Sequence, residues 1–186
     1  MDYKYCDSNC PYNTQNIFTF TKARARDKIQ PIDLEFHGSK TLLVFEAPGY
    51  YEWIKNRPIH DSRDEQKMDS AGSRIATAFE ACNKQRNNYD IAEAVCCFPG
   101  KQKDLNHNEI VNASMSCRKY LYGHVQAKRY SKIVCWGHIA YSSILDIVDS
   151  IRVQTPQYCP TIISLKHPTA KDNNQDAINN DVRMYL

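Results

Sequence analysis

The sequence predicts an α/β three-layer sandwich, a four-stranded parallel sheet flanked by helices. Three observations predict it. Four short apolar runs are rich in β-branched residues and bounded by polar or glycine breaks, as buried strands tend to be. Stretches with apolar residues at helical spacing lie between those runs. The strands are apolar nearly throughout, the mark of a parallel sheet covered on both faces.

The elements follow in order. The strand candidates are Thr41–Phe45 (TLLVF), Ile91–Cys96 (IAEAVC), Lys132–Trp136 (KIVCW) and Thr161–Leu165 (TIISL). Ala71–Cys82 carries Ile75, Ala78, Phe79 and Cys82 at helical spacing. Asn108–Arg129 carries Ile110, Val111, Met115, Tyr120, Leu121 and Val125, and Gly137–Ile151 carries Ile139, Ala140, Ile144, Leu145 and Val148. A last helix is expected in the tail after His167. Residues 1–40 are polar and irregular, with "TKARARDK" as their one basic run; such a run is more often a solvated face than a site. With 186 residues and no repeat or linker, one domain is expected, residues 1–40 packing on it as a cysteine-bearing appendage.

Composition excludes several classes. No apolar run approaches the roughly 18 residues of a membrane helix, and the polar, tyrosine-rich start resembles neither a signal nor a transit peptide. A cytosolic chain is expected. A net charge of +3 and a pI of about 8.4 permit a nucleic-acid partner without arguing for one. The eight cysteines are many for a reducing compartment. Cys82, Cys135 and Cys159 suit small buried hydrophobes. Cys6 and Cys10 sit in a polar stretch, where ligation explains them better than packing.

In a parallel sheet the ligand site lies beyond the carboxyl ends of the strands. Glu46–Glu52, Cys97–Gly100, Gly137–His138 and Lys166–Thr169 follow those ends. Glu46 and His167 stand at the ends of different strands and can meet in one cleft. Walker A, G-x-G-x-x-G, G-x-S-x-G and H-E-x-x-H patterns are all missing. Glu46, Glu52, Glu93, His167 and Thr169 remain, a set suited to hydrolysis with a stabilised leaving group.

The order of five motifs is more specific. "VFEAPGYYE", "AVCCFPG", "EIVNASMSCRKYL", "KIVCWGHIA" and "SLKHPTA" together resemble the uracil-DNA glycosylase superfamily, nearest its iron–sulfur family 4 branch. That branch reads roughly G-E-A-P-G-x-x-E, N-x-x-K-C-R-P-P, E-x-x-x-C-x-x-Y-L, L-G-x-x-A and H-P-S. The resemblance covers about residues 40–170 and the N-terminal cysteine pair. It implies hydrolysis of the N-glycosidic bond of a nucleotide flipped out of DNA; no lysine is singled out for lyase chemistry, and a monomer is the default expectation. His167 matches the histidine that hydrogen-bonds O2 of the leaving base, and Glu46 and Glu52 match the two acids of the first motif. The Ala47–Gly49 turn is expected to approach the base and the water. Thr169 replaces the serine of H-P-S and, with Lys171, is expected at a DNA phosphate. The implied [4Fe–4S] ligands are Cys6, Cys10, Cys97 and Cys117, with Cys96 as a substitute for Cys97; four thiolates also suit zinc. Three residues separate Cys6 from Cys10 and nineteen separate Cys97 from Cys117, both more than the branch usually has.

The chain departs from the pattern where the base is read. Glu93 occupies the position of the asparagine that reads uracil. A protonated glutamate accepts from an exocyclic amine and donates to a ring nitrogen, which matches cytosine. Ile59 replaces the aromatic that stacks on the base, and extra polar residues follow it at 60–70. Gly49 leaves room near the pyrimidine 5-position. These features point to a 5-substituted cytosine. One defensive use of the superfamily removes glucosylated 5-hydroxymethylcytosine from phage DNA, and this chain resembles such an enzyme. A uracil repair glycosylase and a non-catalytic sensor of modified bases are the rival readings.

Overall fold

The computed structural model describes residues 10–12, 31–99 and 107–186. Cys6 and the basic run at 21–28 lie outside the described residues. Four strands, β1 (Thr41–Phe45), β2 (Asp90–Glu93), β3 (Lys132–Trp136) and β4 (Thr161–Leu165), form one sheet in the order β2-β1-β3-β4. Every pairing is parallel, with Phe45 opposite both Glu93 and Trp136, and Trp136 opposite Leu165. The helices are α1 (Tyr50–Ile54), α2 (Ala71–Ala81), α3 (His107–Lys128), α4 (His138–Gln154) and α5 (Gln175–Tyr185).

The apolar strands feed two cores because successive side chains leave a strand on opposite faces. Leu42, Val44, Ala92, Ile133 and Cys135 face α3 and α4, packing against Leu121, Val125, Ile144 and Val148. Leu43, Phe45, Ile91, Val134 and Trp136 face α2 and α5, packing against Ile75, Phe79, Ile178 and Val182. Most of the helical spacings read from the sequence line these layers; Met115 is exposed instead, as is Cys159, expected from the sequence to be buried. Ser70 and Asn174 cap α2 and α5, accepting from the Ser73 and Ala177 amides.

Three features of the strands and helices also differ from the sequence expectation. The regular ladder of β2 stops at Glu93 rather than Cys96. The Ala94 and Val95 amides still donate to Phe45 O (2.8 Å) and Glu46 O (2.9 Å), but the chain bends there. β4 is an edge strand, with Thr161 and Ser164 exposed, so its apolar residues are only partly buried, Ile162 packing on one core and Ile163 and Leu165 on the other. Tyr50–Ile54 is a short helix, started by the Trp53 amide donating to Gly49 O at 3.1 Å. It buries Trp53 and Glu52.

From β1 the chain moves outward to β2, then crosses back over β1 to β3 and β4. The direction of winding therefore reverses between β1 and β3, and the carboxyl ends of those strands flank a topological switch point. Glu46 follows β1, and Gly137 follows β3. No described helix is long and apolar enough to cross a membrane.

Candidate functional site

A cleft of about 410 Å³ opens at that switch point, within the range of small-ligand sites. Glu46 to Gly49 form one wall, Ser70 and Ala71 the start of α2, and Phe98 with Pro99 another wall; Ile110, His167 and Thr169 complete it. Glu46, Ala47, Gly49, His167 and Thr169, all singled out from sequence, are thereby brought together.

Glu46 is fixed by the start of α4. Its Oε1 accepts from the Ile139 amide at 3.0 Å, at the end of a helix where an anion is favoured. Gly137 makes the approach possible. Its φ is +104°, and a Cβ there would overlap the Glu46 carboxylate.

His167 is held by its own loop. Its Nδ1 accepts from the Thr169 amide (3.3 Å) and lies 2.9 Å from Thr169 Oγ1. An amide only donates, so Nδ1 carries the lone pair and the neutral ring carries its proton on Nε2. Burial pushes the imidazole pKa down, against the opposing pull of Glu46. The ring is thus kept as a neutral Nε2–H donor. Two residues brace the loop. Asn173 Nδ2 donates to His167 O (3.1 Å), and Arg74 donates from α2 to Pro168 O (3.0 Å) and Asn173 O (2.8 Å). Lys171 is exposed on this loop and is not part of the cleft wall.

Glu52, Ile59 and Glu93 lie behind the cleft, not on its wall. Glu52 is 4% exposed and fills the space that a Gly49 Cβ would take. The glycine therefore accommodates Glu52 instead of opening room toward a base. Ile59 is buried in the α2–α5 core, and the aromatic on the cleft wall is Phe98, whose ring packs on Tyr50 and Trp53. Glu93 is 3% exposed, and neither of its carboxyl oxygens has a hydrogen-bond partner of normal geometry. Burial, then the neighbouring Glu52 charge, push its pKa well up; the Ile59 amide and Arg86 oppose this only in part. Burial raises Glu52 as well. Two adjacent acids are thus biased toward the protonated form under the cleft.

Arg86 fastens the Pro58–Ile59 backbone. It donates to Ile59 O (2.7 Å) and to Pro58 O, and pairs with Glu35 through Nε (2.8 Å) and Nη2 (2.6 Å). Ile59 sits at φ +47°, which a β-branched residue adopts only where its surroundings enforce it. Burial alone would raise the Glu35 pKa, but hydrogen bonds from Arg86, His37 and Arg57 hold it down at about 2.

The expected cluster ligands are described in part. Cys10, Cys96, Cys97 and Cys117 are all buried. The Cys96 thiol donates a hydrogen bond to the Cys117 sulfur, pushing Cys96 up and Cys117 down, while Cys97 acts electrostatically on Cys96 and Cys10 on Cys117. An all-sulfur set from three chain segments is of the right kind for an iron–sulfur or zinc group. The set is incomplete, since among the described residues no three His, Cys, Asp or Glu side chains are grouped to hold a metal. Cys96, the substitute ligand, interacts with Cys117.

The sequence reading placed Gly137 and Phe98 only within strand-end stretches, without a role, and missed Ser70, Arg74 and Asn173 as parts of the site. A glycine between a strand and the next helix was the signal for Gly137, and an aromatic-proline pair after β2 the signal for Phe98. Arg74 and Asn173 act through backbone carbonyls and leave no motif. No protein-family model matches the chain, and a comparison with curated proteins finds none that matches it.

Proposed function

We propose that the chain is a monofunctional DNA glycosylase of the uracil-DNA glycosylase type, acting as a monomer in the cytoplasm. Its substrate is a flipped-out modified pyrimidine, foremost a 5-substituted cytosine such as glucosylated 5-hydroxymethylcytosine in phage DNA. The observation that carries this reading is the meeting of Glu46 and a neutral, Nε2-protonated His167 in one cleft at the switch point.

In this reading the C1′–N bond breaks with its electron pair leaving on the base. His167 Nε2–H donates to the base oxygen as negative charge develops, and the Glu46 carboxylate faces the cationic sugar. Water adds to C1′, and its proton ends on the departing base or in solvent. Phe98 offers an aromatic face to the flipped base. Glu93, biased toward its protonated form, carries the donor and acceptor pattern that cytosine requires but is buried behind the cleft wall. Thr169 and Lys171 are the phosphate contacts. Cys10, Cys117 and Cys96 or Cys97, with Cys6, would hold a [4Fe–4S] cluster. Such a group would tie Cys10 to α3, and no bond-breaking step passes through it.

Uracil is the second reading, favoured by the placement of Glu93 off the cleft wall. Base release from DNA containing glucosylated 5-hydroxymethylcytosine, cytosine or uracil separates the two. The expected result is an abasic site in the modified DNA, with His167→Ala lowering its formation by about 10²–10³-fold. Release of uracil alone overturns the cytosine assignment. Tight binding without abasic product overturns the glycosylase reading in favour of a sensor.

A further inference from the structure

The loop that carries His167 follows β4, an edge strand, so its carbonyls find their partners outside the sheet. Pro168 and Asn173 are buried in that loop, and buried carbonyls need donors. Arg74 supplies both from one nitrogen. Its Nη1 donates to Pro168 O at 3.0 Å and to Asn173 O at 2.8 Å. Asn173 passes the tie on, its Nδ2 donating to His167 O at 3.1 Å.

The guanidinium stands on a fixed base. Arg74 belongs to α2, whose Ile75, Ala78 and Phe79 are in the core. Its own carbonyl accepts from Gln175 Nε2 at 3.0 Å, at the start of α5. One turn earlier, Ser70 and Ala71 line the cleft. A single side chain therefore joins the α2 wall of the cleft to the loop that bears the histidine.

Two other roles fit less well. The ion pair of Arg74 with Asp69 is 3.5 Å long, and the Asp69 side chain is 94% exposed, so that pair contributes little. A role in gripping DNA phosphate would leave unexplained why both Nη1 bonds go to carbonyls of the histidine loop. Resting on the glycosylase reading above, we propose that Arg74 is a positioning residue for base release, fixing the His167 loop, and with it the Nε2–H donor, against the α2 wall.

The test measures base release by the full chain from duplexes carrying glucosylated 5-hydroxymethylcytosine or uracil. The ring titration of His167 is followed by NMR in the same proteins without DNA. Arg74→Met is expected to lower kcat about 10–100-fold, the effect of a donor displaced by up to about 1 Å, with KM within about twofold. The His167 titration should move up toward 6.5 as the ring loses its burial. Arg74→Lys keeps the charge without the planar fork and is expected between Arg74→Met and wild type. Asp69→Asn removes only the exposed ion pair and is expected to match wild type in both readouts. Melting curves check folding; if Arg74→Met does not fold, wild-type values in Arg74→Lys overturn the assignment. Unchanged kcat and titration in Arg74→Met overturn it directly. A raised KM at unchanged kcat also overturns it, in favour of a phosphate contact. If the wild type releases neither base, the glycosylase reading fails, while a His167 titration shifted in Arg74→Met and not in Asp69→Asn upholds the positioning.

Discussion

Replacing Gly137 with alanine tests how the site is held together. The residue has φ +104° and ψ 161°, a region essentially reserved for glycine, where another residue costs about 1–3 kcal/mol. The new methyl would overlap the Glu46 carboxylate and break its 3.0 Å bond from the Ile139 amide. A hydrogen bond to a charged group contributes about 1.5–3 kcal/mol. The expected loss is about 3–5 kcal/mol, a melting point lower by roughly 6–20 °C for a domain of this size. Activity should fall further than stability alone requires, because Glu46 leaves its place. Thermal unfolding and base release are measured on the same preparations. Gly38→Ala is the control: its φ is +76°, but nothing lies within 4 Å of the new Cβ, so it carries only the backbone cost. A Gly137→Ala variant that melts with the Gly38→Ala variant and keeps wild-type base release would refute the coupling of Gly137 to Glu46.

Three further outcomes are expected. His124 donates to Tyr130, which donates on to the buried Asp90, and burial holds its pKa down from 6.5 to about 4. Below pH 6.5 the unfolded chain takes up a proton that the folded chain refuses, so stability falls as pH drops toward 4; His124→Gln should lessen the loss of melting temperature between pH 7 and pH 5, and an identical loss would refute it. Gly123 lies exposed inside α3 with nothing near its missing Cβ, so Gly123→Ala should stabilise by about 0.5–1 kcal/mol, measured by denaturant unfolding; a destabilised variant contradicts the helix placement. With Cys117 as a cluster ligand, Cys117→Ser should lower bound iron and the visible absorbance of purified protein; iron retained at wild-type stoichiometry excludes the role.

The layers of the fold were legible because each strand is apolar on both faces and each helix on one. Thr41–Phe45 and Lys132–Trp136 are buried at all but their first residues, so nothing in their sequence misleads. β4 misled because TIISL looks the same as a central strand until its neighbours are counted. Glu46 and His167 were legible as strand-end residues, since parallel topology alone places strand ends together. Glu93 and Ile59 were legible as unusual but not as buried. Their depth depends on Arg86 drawing the Pro58–Ile59 backbone down, a contact between side chain and carbonyls that leaves no pattern. The Gly49 vacancy was visible, while its occupant, the carboxylate of Glu52 three residues later, depends on the short helix between them.

The edge position of β4 bears on when the site exists at all. His167 follows the outermost strand, which is paired on one side only, while Glu46 follows an interior one. During synthesis the first half of the cleft is complete more than a hundred residues before the second emerges. In the finished protein an edge strand is the kind of unit that opens without global unfolding. Peeling of β4 would carry the histidine away and leave the acid in place, silencing the cleft at the loss of Ile162 from one core and of Ile163 and Leu165 from the other. Amide exchange in Thr161–Leu165 would then report the fraction of molecules that are folded yet inactive.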